Sequence, residues 1–447
     1  MSVWESSSAR VWLRYEPVWI QYSDPRGDAA GFTGEILDFE NRWAGLHETY
    51  PRQPRGDSIE ESRRLWTKYG DAVLTGTAQG STPRADQSAE TDWIFTASDD
   101  AKIHWAPYVW KRLGAGPSAR AEAAMPGAYV KTAFQGSASI RVLIDGTANN
   151  GCPAQAMPVV DFSIDRGAFQ TVQLVRTGEV YPLSLGEGLD RTVAHHLELY
   201  FRAAGLGPKR WTDSTVHVRI AGFELNSGGS FLPCPVKPKR AIGFGDSITE
   251  GVCAEGLCEY YSNLLMNNAR VTWFPLACNA LDCEYGQLGT GGQGMVTTSM
   301  AIPPLPLTWD HYGPDSSRLS GGLLLPEPDY VFCAMGTNDY REDKSLIPIA
   351  EAYARWLASV RRACPNARVF CIVPPLGWQA ADIRDAVAAR NNAGDTKVHL
   401  IDTSPLWSSF STKGPTQLAP DGVHPSVFGN AALGALIAVE VQKMLSR

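Results

Sequence analysis

The chain has 447 residues, room for two or three domains with cores of their own. Its 44% hydrophobic and 19% charged fractions are those of a globular protein and exclude disordered, collagen-like and coiled-coil chains. Forty Lys and Arg against 47 Asp and Glu leave a net charge of −7, without the basic excess of a nucleic-acid binder.

In chain order, the first residues carry neither the basic nor the apolar segment of a secretory leader. The sequence as written therefore reads as cytoplasmic, or as exported if a leader has been removed. Residues 1–92 hold five Trp among Arg, Asp, Gly and Pro, one helix-like stretch at 58–69, and a polar, linker-like run at 76–91. They form an N-terminal extension to which the pattern assigns no fold. The triplet Gly56-Asp57-Ser58 follows no apolar strand, so Ser58 reads as a helix N-cap, with Glu61 completing a capping box.

From 93 to 232 the pattern changes to short runs of alternating polarity, at 128–134, 139–145, 159–164, 171–175, 196–202 and 216–225. Such spacing predicts a two-sheet antiparallel β-sandwich. His195 and His196 are adjacent, so on a strand they face opposite ways and cannot share a metal. His104, His217 and His311 have no carboxylate or Cys at metal-ligand spacing and are assigned no role. Fourteen Trp, many of them in the first quarter, read as core residues rather than sugar-stacking platforms.

The turn-rich stretch 226–239 contains Gly228, Gly229, Pro233, Pro235 and Pro238 and marks a domain boundary. Beyond it, from 233 to 447, apolar runs at 240–245, 271–277, 330–335, 368–373 and 398–401 alternate with helical periods at 346–362, 380–392 and 428–445. This alternation predicts a three-layer α/β/α domain with a parallel sheet. The longest apolar stretches, near 322–325 and 431–441, are shorter than the roughly 18–20 residues a membrane helix needs. Nine cysteines are too few for a disulfide scaffold, and the odd number leaves at least one unpaired. The pairs Cys253/Cys258 and Cys278/Cys283 are compatible with a zinc site, with local disulfides, or with plain buried thiols.

In such a domain, ligands gather beyond the carboxyl ends of the parallel strands. Four segments fall there: Gly245-Asp246-Ser247, the glycine-dense 289–294, Gly336-Thr337-Asn338-Asp339, and Asp421-Gly422-Val423-His424. Together they supply what nucleophilic acyl transfer requires. Ser247 needs a base, and His424 is the candidate. Asp421, three residues upstream, can orient and charge-balance that imidazole. The Ser247 N–H, a Gly292 N–H and the Asn338 side chain can stabilise an oxyanion. Asp246 and Asp339 read as loop supports.

These four segments, in this order, resemble the SGNH (GDSL) hydrolases over about residues 240–447. The resemblance implies Ser247 as nucleophile, Asp421 and His424 as carboxylate and base, and Ser247, Gly292 and Asn338 as oxyanion donors; Gly291 and Gly294 are alternatives to Gly292. The preceding sandwich resembles the N-terminal jelly roll of two-domain carbohydrate esterases of family two. That implies removal of O-acetyl groups from an oligosaccharide or polysaccharide. The triad chemistry calls for no metal or organic cofactor, and the charge and apolar stretches noted above predict no nucleic-acid or membrane partner. The alternatives are the same chemistry on a lipid, a thioester or another small acyl ester, and a carbohydrate-binding protein whose hydrolase domain is catalytically weak.

Overall fold

A computed structural model describes residues 93–446 except 206–209, 257–263, 298–301, 342–347 and 408–416, together with four short strands before residue 34. The chain divides into two compact units, Met1–Asp92 with Lys413–Pro415, and Trp93–Thr412 with Thr416–Arg447. In the first, Ser2–Ser6, Arg10–Tyr15, Val18–Ser23 and Phe32–Thr33 pair in succession as an antiparallel sheet of their own. The helix expected at 58–69, with its Ser58–Glu61 cap, lies outside the described residues, as do the side chains of Trp4, Trp12, Trp19, Trp43 and Trp66.

The second unit opens with two six-stranded antiparallel sheets. One runs Val180–Gly186, Ile140–Asp145, Val218–Asn226, Arg120–Ala123, Lys111–Leu113, with Trp93–Ala97 also on Val218–Asn226. The other runs Gln170–Gln173, Val159–Ile164, His195–Ala203, Tyr129–Gln135, Ser230–Leu232, with His104–Trp105 also on Tyr129–Gln135. Phe134, Phe201, Phe223, Val142 and Ile220 are fully buried, as alternating patterns facing one interior require. Trp105 and Trp110 meet edge-on at 4.7 Å, and the Trp110 indole donates to the Tyr129 carbonyl, so these two tryptophans are core residues. His195 is buried and His196 exposed, opposite faces of one strand.

The rest of this unit is a five-stranded parallel sheet, formed by β1 (Lys239–Gly245), β2 (Cys283–Gly289), β3 (Tyr330–Ala334), β4 (Arg368–Val373) and β5 (Val398–Asp402) in the order β2-β1-β3-β4-β5. Its helices include α1 (Ser247–Glu250), α2 (Trp273–Ala280), α3 (Ile349–Ala363), α4 (Ala380–Asn392) and α5 (Val427–Leu445). Successive residues of β1 point to opposite faces. The missing side chain of Gly243 faces the Phe274 ring on α2, whereas Phe244 packs against Trp356 on α3. Because α5 lies against α2 and α4 against α3, two helices cover each face, and the expected three layers are present.

One expectation is corrected. Residues 271–277, read as a strand, form a 3₁₀ turn and the first half of α2. Trp273, Phe274, Pro275, Ala277 and Cys278 are all buried, and a helix buried all round has the same hydrophobic signature as a buried strand. Pro275 sits in the first helical turn, where its missing N–H costs nothing. The strand is β2 instead, whose Glu284 and Gln287 disguise it. Both are buried. Gln287 donates to the Ala269 carbonyl and the Thr272 hydroxyl, both at 3.1 Å.

Glu284 joins the sandwich to the parallel sheet. It accepts the Tyr129 hydroxyl, the Lys131 ammonium (3.2 Å) and the Lys237 N–H (3.1 Å), and His104 Nε2 lies 3.3 Å away. Burial opposes its charge, but His104, Lys131 and Tyr129 hold the carboxyl well below its ordinary range. A depressed carboxylate contributes stability above its unfolded value and loses it as pH falls. Glu284→Gln is therefore expected to lose about 3–5 kcal/mol at pH 7. The difference from wild type should shrink below about pH 4.5, as urea unfolding across pH would measure.

Candidate active site

The order β2-β1-β3 makes the chain leave β1 and β3 in opposite lateral directions, so a crevice opens beyond their carboxyl ends. Ser247 follows β1 as the first residue of the one-turn helix α1. Asp246 caps that helix by accepting the Ile248 N–H at 3.0 Å. Gly245 makes the turn sterically feasible, since a Cβ there would lie 1.9 Å from the Thr249 hydroxyl.

The partner of Ser247 comes from 177 residues further along the chain. His424 precedes α5, whose N-cap Ser426 accepts the Gly429 N–H, and is only 3% exposed. Its Nε2 lies 2.8 Å from Ser247 Oγ, and its Nδ1 lies 2.5 Å from Asp421 Oδ2. The other Asp421 oxygen accepts the N–H groups of Val423 (2.9 Å) and His424 (3.0 Å), fixing the carboxylate and the imidazole in one turn. Burial works to raise the Asp421 carboxyl, but the hydrogen bond and charge of His424 and the two N–H groups keep it below its ordinary value. An ionised carboxylate only accepts, so Nδ1 carries the proton and Nε2 is left to accept from the Ser247 hydroxyl.

Two other loops close around this row. Asn338 opens a 3₁₀ turn after β3 and donates one amide hydrogen to the Gln293 carbonyl at 2.9 Å, leaving its second free to point elsewhere. Among the three glycines that compete for the backbone donor role, Gly291 gives its N–H to Glu250 Oε2 (2.6 Å) and Gly294 gives its own to the Thr297 carbonyl (3.1 Å). Only the Gly292 N–H has no partner among the described residues, and Gly292 turns the loop with φ of 78°. The Ser247 N–H, at the start of α1, is likewise uncommitted. Asp339 has a wider reach than a support for its own turn. Its buried carboxylate accepts the N–H groups of Met295, Val296 and Thr297 at 2.8–3.2 Å, pinning the Gly292 loop to the Asn338 loop.

The sequence reading missed Glu250 as part of this architecture. Its position three residues after Ser247, one helical turn on, was the available signal. Cys253 Sγ lies within 4.8 Å of the Asp421 and His424 donor atoms. It is disulfide-bonded, so it is not a thiolate ligand, and its two neighbours engage each other; this trio does not fit a metal. Cys278 and Cys283 are buried free thiols. His104 and His217 do have carboxylate neighbours, Glu284 and Glu122, supplied by the tertiary fold.

Two outcomes follow from this geometry. Burial pushes the Asp246 carboxyl up to about 6. A carboxyl raised in the folded state stabilises fully below its unfolded value and loses that contribution as pH rises through its folded one. Asp246→Asn, which keeps the acceptor for Ile248, is expected to exceed wild-type stability by about 2–3 kcal/mol at pH 8 and to lose this advantage by pH 4, as thermal unfolding across pH would register. Asn338→Ala is expected to lower kcat on an acyl ester by about 10²–10³-fold with little change in KM.

Comparison with known proteins places the fold and the site in context. Residues 244–432 match the GDSL-like Lipase/Acylhydrolase family, and the parallel-sheet half is a domain of this SGNH/GDSL type. The chain is 27% identical over 337 residues to the cellulase/esterase CelE of Acetivibrio thermocellus, a match covering 72% of this chain and 37% of that protein. It is 28% identical over 131 residues to the acetylxylan esterase / glucomannan deacetylase of Cellvibrio japonicus, covering 26% of this chain and 33% of that one. The chain thus spans about a third of the length of these curated relatives. Among solved structures, a family two carbohydrate esterase from Cellvibrio japonicus superposes with a TM-score of 0.63 at 17% identity, covering 79% of this chain and 98% of that one. At that identity the likeness is one of fold, a β-sandwich followed by a parallel-sheet domain.

Proposed function

We propose that this protein is a serine esterase that removes a small acyl group, acetyl from a carbohydrate hydroxyl, through an acyl-enzyme. The carrying observation is the unbroken row Ser247 Oγ, His424 Nε2, His424 Nδ1, Asp421 Oδ2, with contacts of 2.8 and 2.5 Å. In this reading Ser247 Oγ attacks the ester carbonyl carbon as its proton passes to His424 Nε2. The carbonyl electrons move to the oxygen, which the N–H groups of Ser247 and Gly292 and the Asn338 amide receive. Asp421 stabilises the imidazolium. His424 then gives its proton to the departing sugar oxygen as the C–O bond breaks. A water molecule repeats the attack on the acyl-enzyme, again losing a proton to Nε2, and Ser247 leaves with that proton as acetate is freed.

The names of the relatives, an esterase and an acetylxylan esterase / glucomannan deacetylase, support the carbohydrate substrate. The disulfide at Cys253 supports an oxidising compartment as the place of action.

The test is acetate release from acetylated xylan, mannan and monosaccharides. Ser247→Ala and Asp421→Asn are each expected to fall by about 10⁴-fold or more; a loss under about 100-fold in Ser247→Ala would contradict the nucleophile assignment. A p-nitrophenyl ester series tests the acyl group, with acetate expected to be strongly preferred over octanoate. The reverse preference would favour a lipid-type substrate.

A further inference from the structure

Resting on the esterase reading above, one buried ion pair reaches the site from the sandwich. Arg210, 2% exposed, stands in the loop after strand His195–Ala203. Its Nη1 donates to Glu250 Oε1 at 2.6 Å, and its Nη2 to the Gly205 carbonyl at 3.0 Å. Glu250, 3% exposed, ends α1 one turn beyond Ser247. Its other oxygen accepts the Gly291 N–H at 2.6 Å. β2 comes close enough for this because it ends on Gly289, where a Cβ would lie 2.3 Å from the Glu250 nitrogen.

A carboxylate buried this deeply is stable only with a counter-charge, and among the described residues the cation on Glu250 is Arg210. The charged Glu250 is in turn a strong acceptor for a backbone N–H. The N–H it holds belongs to the residue immediately before Gly292, the glycine with the uncommitted donor. We propose that the Arg210–Glu250 pair is a positioning device for the oxyanion hole. Arg210 from the sandwich pairs with and holds the Glu250 carboxylate, Glu250 fixes the Gly291 peptide, and that fixes where the Gly292 N–H points. Neither residue touches the substrate. The sandwich is then a working part of the acyl-transfer site, beyond any carbohydrate it binds.

The test uses the full chain with two readouts: kcat and KM on p-nitrophenyl acetate, and hydrogen exchange of the 286–297 segment. Arg210→Met is expected to lower kcat at least about 10-fold with KM within about 3-fold, and to speed exchange at Gly291. Arg210→Met/Glu250→Gln, which leaves no buried unpaired charge and keeps an acceptor for Gly291, is expected to recover kcat to within about 3-fold of wild type. Arg210→Met/Glu250→Leu, charge-free without that acceptor, is expected to stay low. A folded Arg210→Met with wild-type kcat and wild-type exchange overturns the proposal. If Arg210→Met does not fold, equal kcat and equal exchange in the two double variants overturn it. Should the wild type hydrolyse no acyl ester, the esterase reading falls, and exchange at Gly291 alone decides whether the pair holds this loop.

Discussion

The reversal of direction between β1 and β3 is the constraint from which the site follows. In a parallel sheet ordered β2-β1-β3-β4-β5, connections leave the first and third strands toward opposite sides, so no loop fills the gap above their carboxyl ends. Ser247 follows β1 and Asn338 follows β3, on the two sides of that gap. The fold needs only to bring two more loops there. The turn before α5 delivers His424 with its own carboxylate, and the chain leaving β2 delivers Gly292.

What keeps these loops in register is a set of carboxylates held by hydrogen-bond donors, two of which, Asp339 and Glu250, are buried and take donors from another loop. Asp421 holds the imidazole and its own turn; Asp339 holds three consecutive N–H groups of the facing loop; Glu250 spans Arg210 and Gly291. A charged oxygen removed from water is costly unless its lone pairs are occupied, so each such carboxylate has few low-energy arrangements and fixes its neighbours. The site is preorganised by polar groups that never meet the reacting carbon.

The same principle governs the contact between sandwich and parallel sheet. Glu284 on β2 draws Tyr129, Lys131 and His104 from the sandwich. Asp161, fully buried, accepts from Arg202 of the sandwich at 3.1 Å and from Arg270 beside α2 at 3.3 Å, while Arg202 also reaches the Asn267 and Leu265 carbonyls. Edge strand β2 is polar because Glu284 is answered by the sandwich and Gln287 by Ala269 and Thr272 beside α2, and for that reason its local sequence does not look like a buried strand.

Four site segments were legible in the sequence because each is short and local. Gly245-Asp246-Ser247 is a strand-to-helix turn, and Asp421 and His424 sit three residues apart in one turn. The alternation of 2.0 and 3.6 periods separated sandwich from α/β domain for the same reason. Burial on all sides erased the periodicity at 271–277, and buried polar side chains erased it at 283–289. Pairings between distant segments left no local trace: Arg210 with Glu250, Asp339 with Met295, Val296 and Thr297, and the bonds that take up the N–H groups of Gly291 and Gly294 but, among the described residues, not that of Gly292. Residue chemistry and short-range geometry are written along the chain, so the sequence by itself determined the candidate site residues and the loops that carry them. Which donor stays free, and which charge neutralises which, depends on through-space partners from 40 to more than 150 residues apart and on the exclusion of water between them. Only the tertiary structure decided those.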